Sequence, residues 1–405
     1  MGFSYTIHLI NAVGISLVTA RLLKDNTDLS DFSRGLAIAA TGLIQVANLS
    51  YFDRPEETAL ILVWLEMLLV WNPSATRIFP RALFSGVLIG SSALIAPWVG
   101  LLGALTITFR SMIEAGQQKF AKQPNWKSPV FSLVMTGITA ALLAGAWYVW
   151  INHHYPGVVR DQFEVISNYI KNDQMMGTAL DRPGEFLRTM LFNRFQLLAT
   201  MLTLLFYPMF VVGRGWRQTN CLSIAIYLAA ATTIIFCGIT RPSAYTYLGA
   251  SQMLLLPCFG PAVSRYLTGK SAASLRFGIA IVSFCVLFSF GDAARLGIRS
   301  LRLPERERPR AAFDRLREIV PADARVSATS RHWYAFQGRN QWIEAFWCSF
   351  SDPPETLKCE WLVLYPGMGM PDFIDAFTLV EELPNTASGD ETYAWSLWRL
   401  KTESE

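Results

Sequence analysis

The sequence predicts an all-α polytopic membrane domain of about ten transmembrane helices over residues 1–303, followed by a small C-terminal α/β extracytoplasmic domain over residues 304–405. Three observations carry this expectation. Of 405 residues, 52% are apolar and only 16% charged, against roughly 25% charged in soluble domains. Lipid therefore takes the place of water around much of the chain, which argues against a soluble globular enzyme. Apolar runs near the length that crosses about 30 Å of hydrocarbon recur through the first three quarters of the chain. Charge also divides the chain: the first 303 residues hold 24 Lys and Arg against 14 Asp and Glu, whereas the last 102 hold 11 against 17.

Candidate helices fall at 5–23, 35–52, 58–74, 129–151, 195–213, 219–239, 245–264 and 277–297. The stretch 82–109 is too long for one crossing and is interrupted at Ala96-Pro97-Trp98. Proline ends a helix at the residue before it, so this stretch reads as two short helices meeting at Pro97. Within the first of them, Gly86 and Gly90 form a GxxxG pattern that lets two helix backbones approach.

Cations set the sidedness, because cytoplasmic loops collect Lys and Arg. With the N-terminus outside, the inner connections receive Arg21, Lys24, Arg34, Arg77, Arg81, Arg110, Lys119, Lys122, Lys127, Arg214, Arg217, Arg265, Lys270 and Arg276, while the short outer loops receive Arg54 and Arg241. Both termini and the acidic tail are thus expected on the non-cytosolic side. No basic segment precedes the first apolar run, so that run is not a conventional signal peptide.

In the long outer loop 152–193, Phe163, Ile166, Tyr169 and Ile170 share a helical face from which Asp161, Glu164 and Lys171 are excluded. That pattern fits a helix lying on the outer membrane surface, and equally an amphipathic helix packed on the tail. In the tail, residues 311–320 carry a helical pattern ended by Pro321, and strand-like pieces follow at 324–328, 360–365, 377–381 and 392–400. Cys221, Cys237, Cys258 and Cys285 sit in apolar runs without Cys-x-x-Cys or His partners at ligand spacing, which argues against a zinc or iron-sulfur site. Cys348 and Cys359 fit either a disulfide or two separate thiols.

Polar groups near the outer ends of the helices are the candidate working residues. Asp53-Arg54-Pro55-Glu56-Glu57 places carboxylates and a cation at one membrane surface, although proline and acidic residues in a first helical turn are also ordinary capping. Arg-Pro recurs at the same level as Arg182-Pro183 and Arg241-Pro242, and converging guanidiniums would grip a phosphate. His153 and His154 leave the sixth helix there, able to bind phosphate or carry a proton. His8 and Asn11, one turn apart, are expected to hydrogen-bond between helices. Glu66 stands eight residues into the third candidate helix, about 12 Å deep at the standard rise. A lone carboxylate there costs about 2.5 to 3.5 kcal/mol, so it should face a partner or a wet cavity.

The Arg-Pro-Glu run after the second helix, the broken pair from Gly86 to Trp98, the Arg241-Pro242-Ser243-Ala244-Tyr245 entry to a helix containing Pro257, and the acidic tail together resemble the polytopic GT-C class of glycosyltransferases. The chain looks similar to bacterial members of the protein O-mannosyltransferase and lipid A aminoarabinose transferase type. The resemblance implies a bacterial inner-membrane enzyme. It would transfer a sugar from a polyprenyl-phosphate donor to an unknown acceptor hydroxyl or amine on the outer, periplasmic face. It implies Asp53 or Glu56 as the catalytic carboxylate, with Arg54, Arg241, Arg182, His153 and His154 facing the donor phosphate, helped by cations or a divalent metal.

Members of that class begin with a helix and a long outer loop that bears the principal acidic residue, and the first run here resembles their second helix. The resemblance therefore implies a preceding helix and loop, missed by a late start codon, lost by truncation or supplied by a partner chain. Two other readings stand beside it: a transporter or lipid flippase with Glu66 as the coupling carboxylate, and an inactive remnant that scaffolds an envelope complex. No Gly-rich phosphate loop is present, which disfavours a soluble nucleotide-sugar donor. The basic excess lies at the inner membrane face and does not argue for nucleic acid.

Overall fold

Apolar runs condense into helices, and proline or a polar cap sets the start of α-helical stretches at 31, 55 and 97. The computed structural model describes residues 2–24, 26, 28–47, 55–70, 78–123, 126–154, 156, 194–240, 245–268, 271–302, 309–328, 332–336, 340–344, 359–364, 373–383 and 394–401. The chain forms two compact units, Met1–Ala293 and Ala294–Glu405. The amphipathic pattern expected at 163–171 and Cys348 lie outside the described residues.

In the first unit, α1 (Gly2–Leu23) and α2 (Asp31–Val46) form an antiparallel pair, and the Ser30 side chain caps α2 by accepting from the Ser33 amide at 3.1 Å. Helix α3 (Pro55–Leu65) starts on a proline, whose missing N–H is no loss at a first helical position. It continues as a π-helical turn over Glu66–Val70. Arg21, in the last turn of α1, donates to the Leu68 carbonyl in this wide turn at 2.7 Å.

The expected break at Pro97 is present. Helices α4 (Ile78–Ile95) and α5 (Pro97–Phe120) are separated by Ala96 alone, whose φ of −145° and ψ of 98° are extended. The two fold back on each other, with Gly100 against Ala93 and Gly103 against Ile89, so close that a Cβ on either glycine would collide. Helix α6 (Ser128–His154) packs along α4, where a Cβ on Gly86 would lie 2.5 Å from Thr139 Cβ and one on Gly90 3.0 Å from Leu143 Cδ2. The glycine pair thus marks a backbone seam.

The unit is completed by α7 (Arg194–Arg214), α8 (Cys221–Thr240), α9 (Tyr245–Leu255), a 3₁₀ turn at Leu256–Cys258 around Pro257, α10 (Phe259–Leu267) and the part of α11 (Ala272–Arg302) up to Ala293. Its core lies between α1, α2, α3, α5, α8, α9 and α10, with Ile15, Ile44, Leu60, Trp64, Leu102, Leu222, Leu254 and Phe259 buried. Much of the outward surface is apolar, including Leu142 and Val149 on α6, Leu205 and Val212 on α7, and Leu287 on α11.

Among the described residues, three helices are long and apolar enough to cross a membrane, Thr6–Leu23, Ser128–His154 and Ala272–Gly291, with shorter apolar helices at Phe79–Ile95, Leu198–Arg214 and Cys221–Phe236. The expectation of ten crossings is therefore met only in coarser form. Helix α2 has 16 residues, α3 has 11 before its π turn, and α9 is parted from α10 at Pro257. Sixteen residues of α-helix rise about 24 Å, short of a full hydrocarbon thickness.

One cation is placed differently from expectation. Arg110 was assigned to a loop because the apolar run stops near residue 109. The following residues, Ser111 to Phe120, include Met, Ile, Glu, Ala and Gln, which propagate a helix. Helix α5 continues through them, and Arg110 lies buried within it. At the end of α5, Gln117 donates to the carbonyls of Trp216 at 2.9 Å and Thr219 at 3.2 Å. Arg217 lies 4.5 Å over the Phe120 ring, and Lys119 and Lys127 both face Trp126.

The second unit is a mixed five-stranded sheet with helix α12 (Pro309–Ile319) on one face. Its strands are β1 (Arg325–Ala328), β2 (Gln341–Glu344), β3 (Trp361–Leu364), β4 (Phe377–Leu383) and β5 (Trp395–Leu400), in the order β2-β1-β3-β5-β4. A four-residue helix, α13 (Trp333–Phe336), precedes β2. Strand β1 runs parallel to β2 and β3, and β5 antiparallel to β3 and β4. The period-two alternation sorts Val326, Trp361, Val363, Trp395 and Leu397 toward Ala312 and Leu316 of α12, while Leu362, Leu364, Phe377 and Trp398 gather on the other face with Cys359. The small α/β tail is as expected, with β2 added.

Candidate functional site

Helical phase brings a set of polar side chains together where α1 starts, α2 ends and α3 starts. His8 and Asn11 share the buried face of α1 with Ile15, Val18 and Leu22, and Glu57 shares the buried face of α3 with Leu60 and Trp64. His8 Nδ1 lies 2.6 Å from Glu57 Oε1, and its Nε2 lies 3.3 Å from the Val46 carbonyl. Asn11 Nδ2 donates to the Glu57 carbonyl at 2.9 Å, and Trp64 Nε1 donates to Asn11 Oδ1 at 2.9 Å. His8 is 3% exposed and Glu57 not at all. Both imidazole nitrogens face oxygen acceptors, so one proton must sit between His8 and Glu57, whichever of them holds it.

The expected interhelical bonds of His8 and Asn11 are thus present, with Glu57 as their partner. Glu57 was legible only as one of four crowded charges. Its spacing to Leu60 and Trp64 is the signal that places it inward.

Next to it in the first turn of α3, Glu56 is half-buried. Among the described residues, Oε2 of Glu56 and Oε2 of Glu57 are buried without a hydrogen-bond partner. A carboxylate oxygen shielded from water without a donor is costly, so it marks a place where a proton or an incoming donor group would be bound.

Asp53, Arg54, Arg182 and Arg241 lie outside the described residues. His153 and His154 are exposed at the end of α6, their ring centroids 5.1 Å apart. His154 Nδ1 bonds the Trp150 carbonyl one turn back at 2.9 Å, which makes that nitrogen the donor. Among the described residues, no hydrogen bond or ion pair joins either histidine to Glu56. No group of three His, Cys, Asp or Glu side chains suited to holding a metal is found among the described residues.

Glu66 faces a partner, as its depth requires. Its Oε1 accepts from Arg110 Nη1 at 3.0 Å and from Ser85 Oγ at 2.8 Å, with Glu66 1% and Arg110 8% exposed. The pair sits where α3 widens into its π turn, a distortion often found at functional positions. Reading Arg110 as a loop residue concealed this partner.

No family model, curated protein or solved structure matches the chain. Function is therefore argued from the residues and the geometry.

Proposed function

We propose that the chain is a polytopic membrane transferase that moves a sugar from a polyprenyl-phosphate donor to an acceptor at the end of the bundle where Glu56 and Glu57 lie. The observation that carries this reading is the adjacent carboxylate pair, each member with an unpartnered buried oxygen, one of them backed by the proton of His8. In the reaction, Glu56 takes the proton of the acceptor O–H or N–H as that atom bonds to the sugar anomeric carbon. The bond from that carbon to the phosphate oxygen breaks, and the phosphate leaves with the electron pair. Asp53, Arg54 and Arg241 belong to the segments that border this end in sequence, and they are assigned to the same site.

The same proposal embeds the helical unit in the bacterial cell membrane with the Glu56 end on the non-cytosolic face. Its support is the apolar outward surface of α6, α7 and α11, together with the cations and aromatic rings at the far end of α5. The acidic tail falls on the non-cytosolic side in this arrangement. The test is sugar transfer from labelled polyprenyl-phosphate donors in membranes carrying the full chain. Glu56→Gln combined with Asp53→Asn should abolish transfer while leaving the amount of folded protein unchanged. Undiminished transfer removes the site assignment.

A second reading, a transporter or lipid flippase, is favoured by the buried Glu66–Arg110 pair at the π turn. Loss of ion-dependent flux in Glu66→Gln, with no sugar transfer by the parent chain, would establish it in place of the first.

A further inference from the structure

The end of the first unit remote from Glu56 holds a cavity of about 780 Å³. Asn26 and Asp28 line it from the α1–α2 connection, beyond the end of α1, which rises about 22 Å from His8 to Leu23. Its size falls in the range of small-molecule and cofactor sites, about 300–1,000 Å³. Arg214 reaches it from the last turn of α7 and Arg265 from the last turn of α10. Gln218 and Tyr266 add groups that can donate hydrogen bonds, and Asp28 supplies one carboxylate.

Arginine in a last helical turn offsets the helix dipole, and that would account for either residue alone. Here arginines from two separate helices line one space, and Met209 and Phe210 of α7 add an apolar part to the same lining. That part continues along α7 onto Leu205 and Val212, which are 63% and 83% exposed. The space therefore has a cationic, hydrogen-bonding floor and an apolar side open to the surroundings of the helix.

We infer that this cavity binds a phosphate monoester or diester, the hydrocarbon part lying along α7 where the ligand is a lipid. Arg214 and Arg265 hold the phosphate oxygens, since planar guanidinium groups match that geometry. The phosphate comes either from an anionic phospholipid headgroup or from a soluble phosphate ester. This inference is independent of the transferase reading, because it concerns the other end of the helices and needs no turnover.

The test uses the full chain purified in neutral detergent and titrated with phosphatidylglycerol or phosphatidylcholine, with bound lipid counted by native mass spectrometry. Phosphatidylglycerol should bind about tenfold more tightly than phosphatidylcholine, because only the first carries net negative charge. Arg214→Ala combined with Arg265→Ala should erase the preference. Arg217→Ala, which removes a cation of the same end that does not line the cavity, should keep it. Val212→Asp leaves both arginines in place and should weaken phosphatidylglycerol without affecting glycerol 3-phosphate. Displacement of the lipid by glycerol 3-phosphate or inorganic phosphate assigns the cavity to a soluble phosphate, and retention in their presence assigns it to a lipid. Equal binding of the two lipids, or an unchanged preference in a folded double variant, overturns the inference.

Discussion

Glu57 and Glu66 lie nine residues apart on one stretch of helix, and both are almost completely buried, yet their oxygens meet opposite surroundings. Oε1 of Glu66 takes two donors, one of them an arginine. Glu57 shares a proton with His8 through one oxygen and keeps the other without a partner among the described residues. The difference separates two uses of a buried carboxylate. Where the charge is matched, the pair locks α3, α4 and α5 together. Where an oxygen is left over beside a half-buried neighbour, the helix ends hold acceptor capacity in reserve.

The sharpest way to break this contrast is to strip the matched site of its cation. Arg110→Ala leaves the Glu66 carboxylate buried without its counter-charge and should cost about 3–5 kcal/mol. Thermal unfolding in detergent should show a large fall for it. Arg110→Met combined with Glu66→Met should recover most of the loss, because a buried ion pair adds little over well-packed apolar groups of similar volume. A double variant as unstable as the single one would show that Glu66 and Arg110 do not act as a pair.

His8→Phe comes next, since it removes one partner of Glu57 while filling a similar volume. It should destabilise by about 1–3 kcal/mol, the cost of a buried acceptor left unmade. If the same variant lowers sugar transfer further than the loss of folded protein explains, His8 and Glu57 set the proton balance of the site. If transfer follows folded protein alone, the network is structural. Gly86→Ala forces α4 from α6 at Thr139 and should cost about 1–3 kcal/mol, without altering either carboxylate.

The smallest effect lies in the second unit, as a calibration of what an exposed pair contributes. Arg315 donates to Glu381 Oε1 at 2.9 Å and to its Oε2 at 2.7 Å, and these bonds hold the Glu381 carboxyl below the usual carboxylate range. A depressed carboxyl favours folding above its unfolded pKa, and the benefit disappears as the pH falls through the lowered value. Unfolding of the full chain should therefore show only a slight acid-side loss attributable to this pair, reduced by salt and absent in Glu381→Gln.

Much of the helical architecture was legible from hydropathy. The break at Pro97, the Gly86–Gly90 seam and the helix and outer strands of the tail follow from proline geometry, the absence of a Cβ and period-two alternation. The strand Gln341–Glu344 was not legible, because a four-residue stretch with polar ends carries too little alternation to stand out. Nor was the extension of α5 past residue 109, where helix propensity continues after hydropathy has stopped.

The site was legible in its types and not in its pairings. Glu66 was singled out from depth alone, but Arg110 lies 44 residues away in sequence and had been assigned to a loop. Glu57 was hidden behind Glu56, since two adjacent glutamates look alike until the phase of α3 turns one inward. His8 and Asn11 could be marked as hydrogen-bonding from one helix, yet their partners belong to others.

The π turn at Glu66–Val70 fixes a length. One amino acid more than an α-helix needs is taken up there, so the side chains of the turn leave the phase that Glu57, Leu60 and Trp64 follow. Removing a single codon from this stretch would leave the Glu57 half of the helix as it is and change the phase at which Met67 and Leu68 stand. Point substitutions can therefore tune the turn, while insertions and deletions within it cannot pass silently.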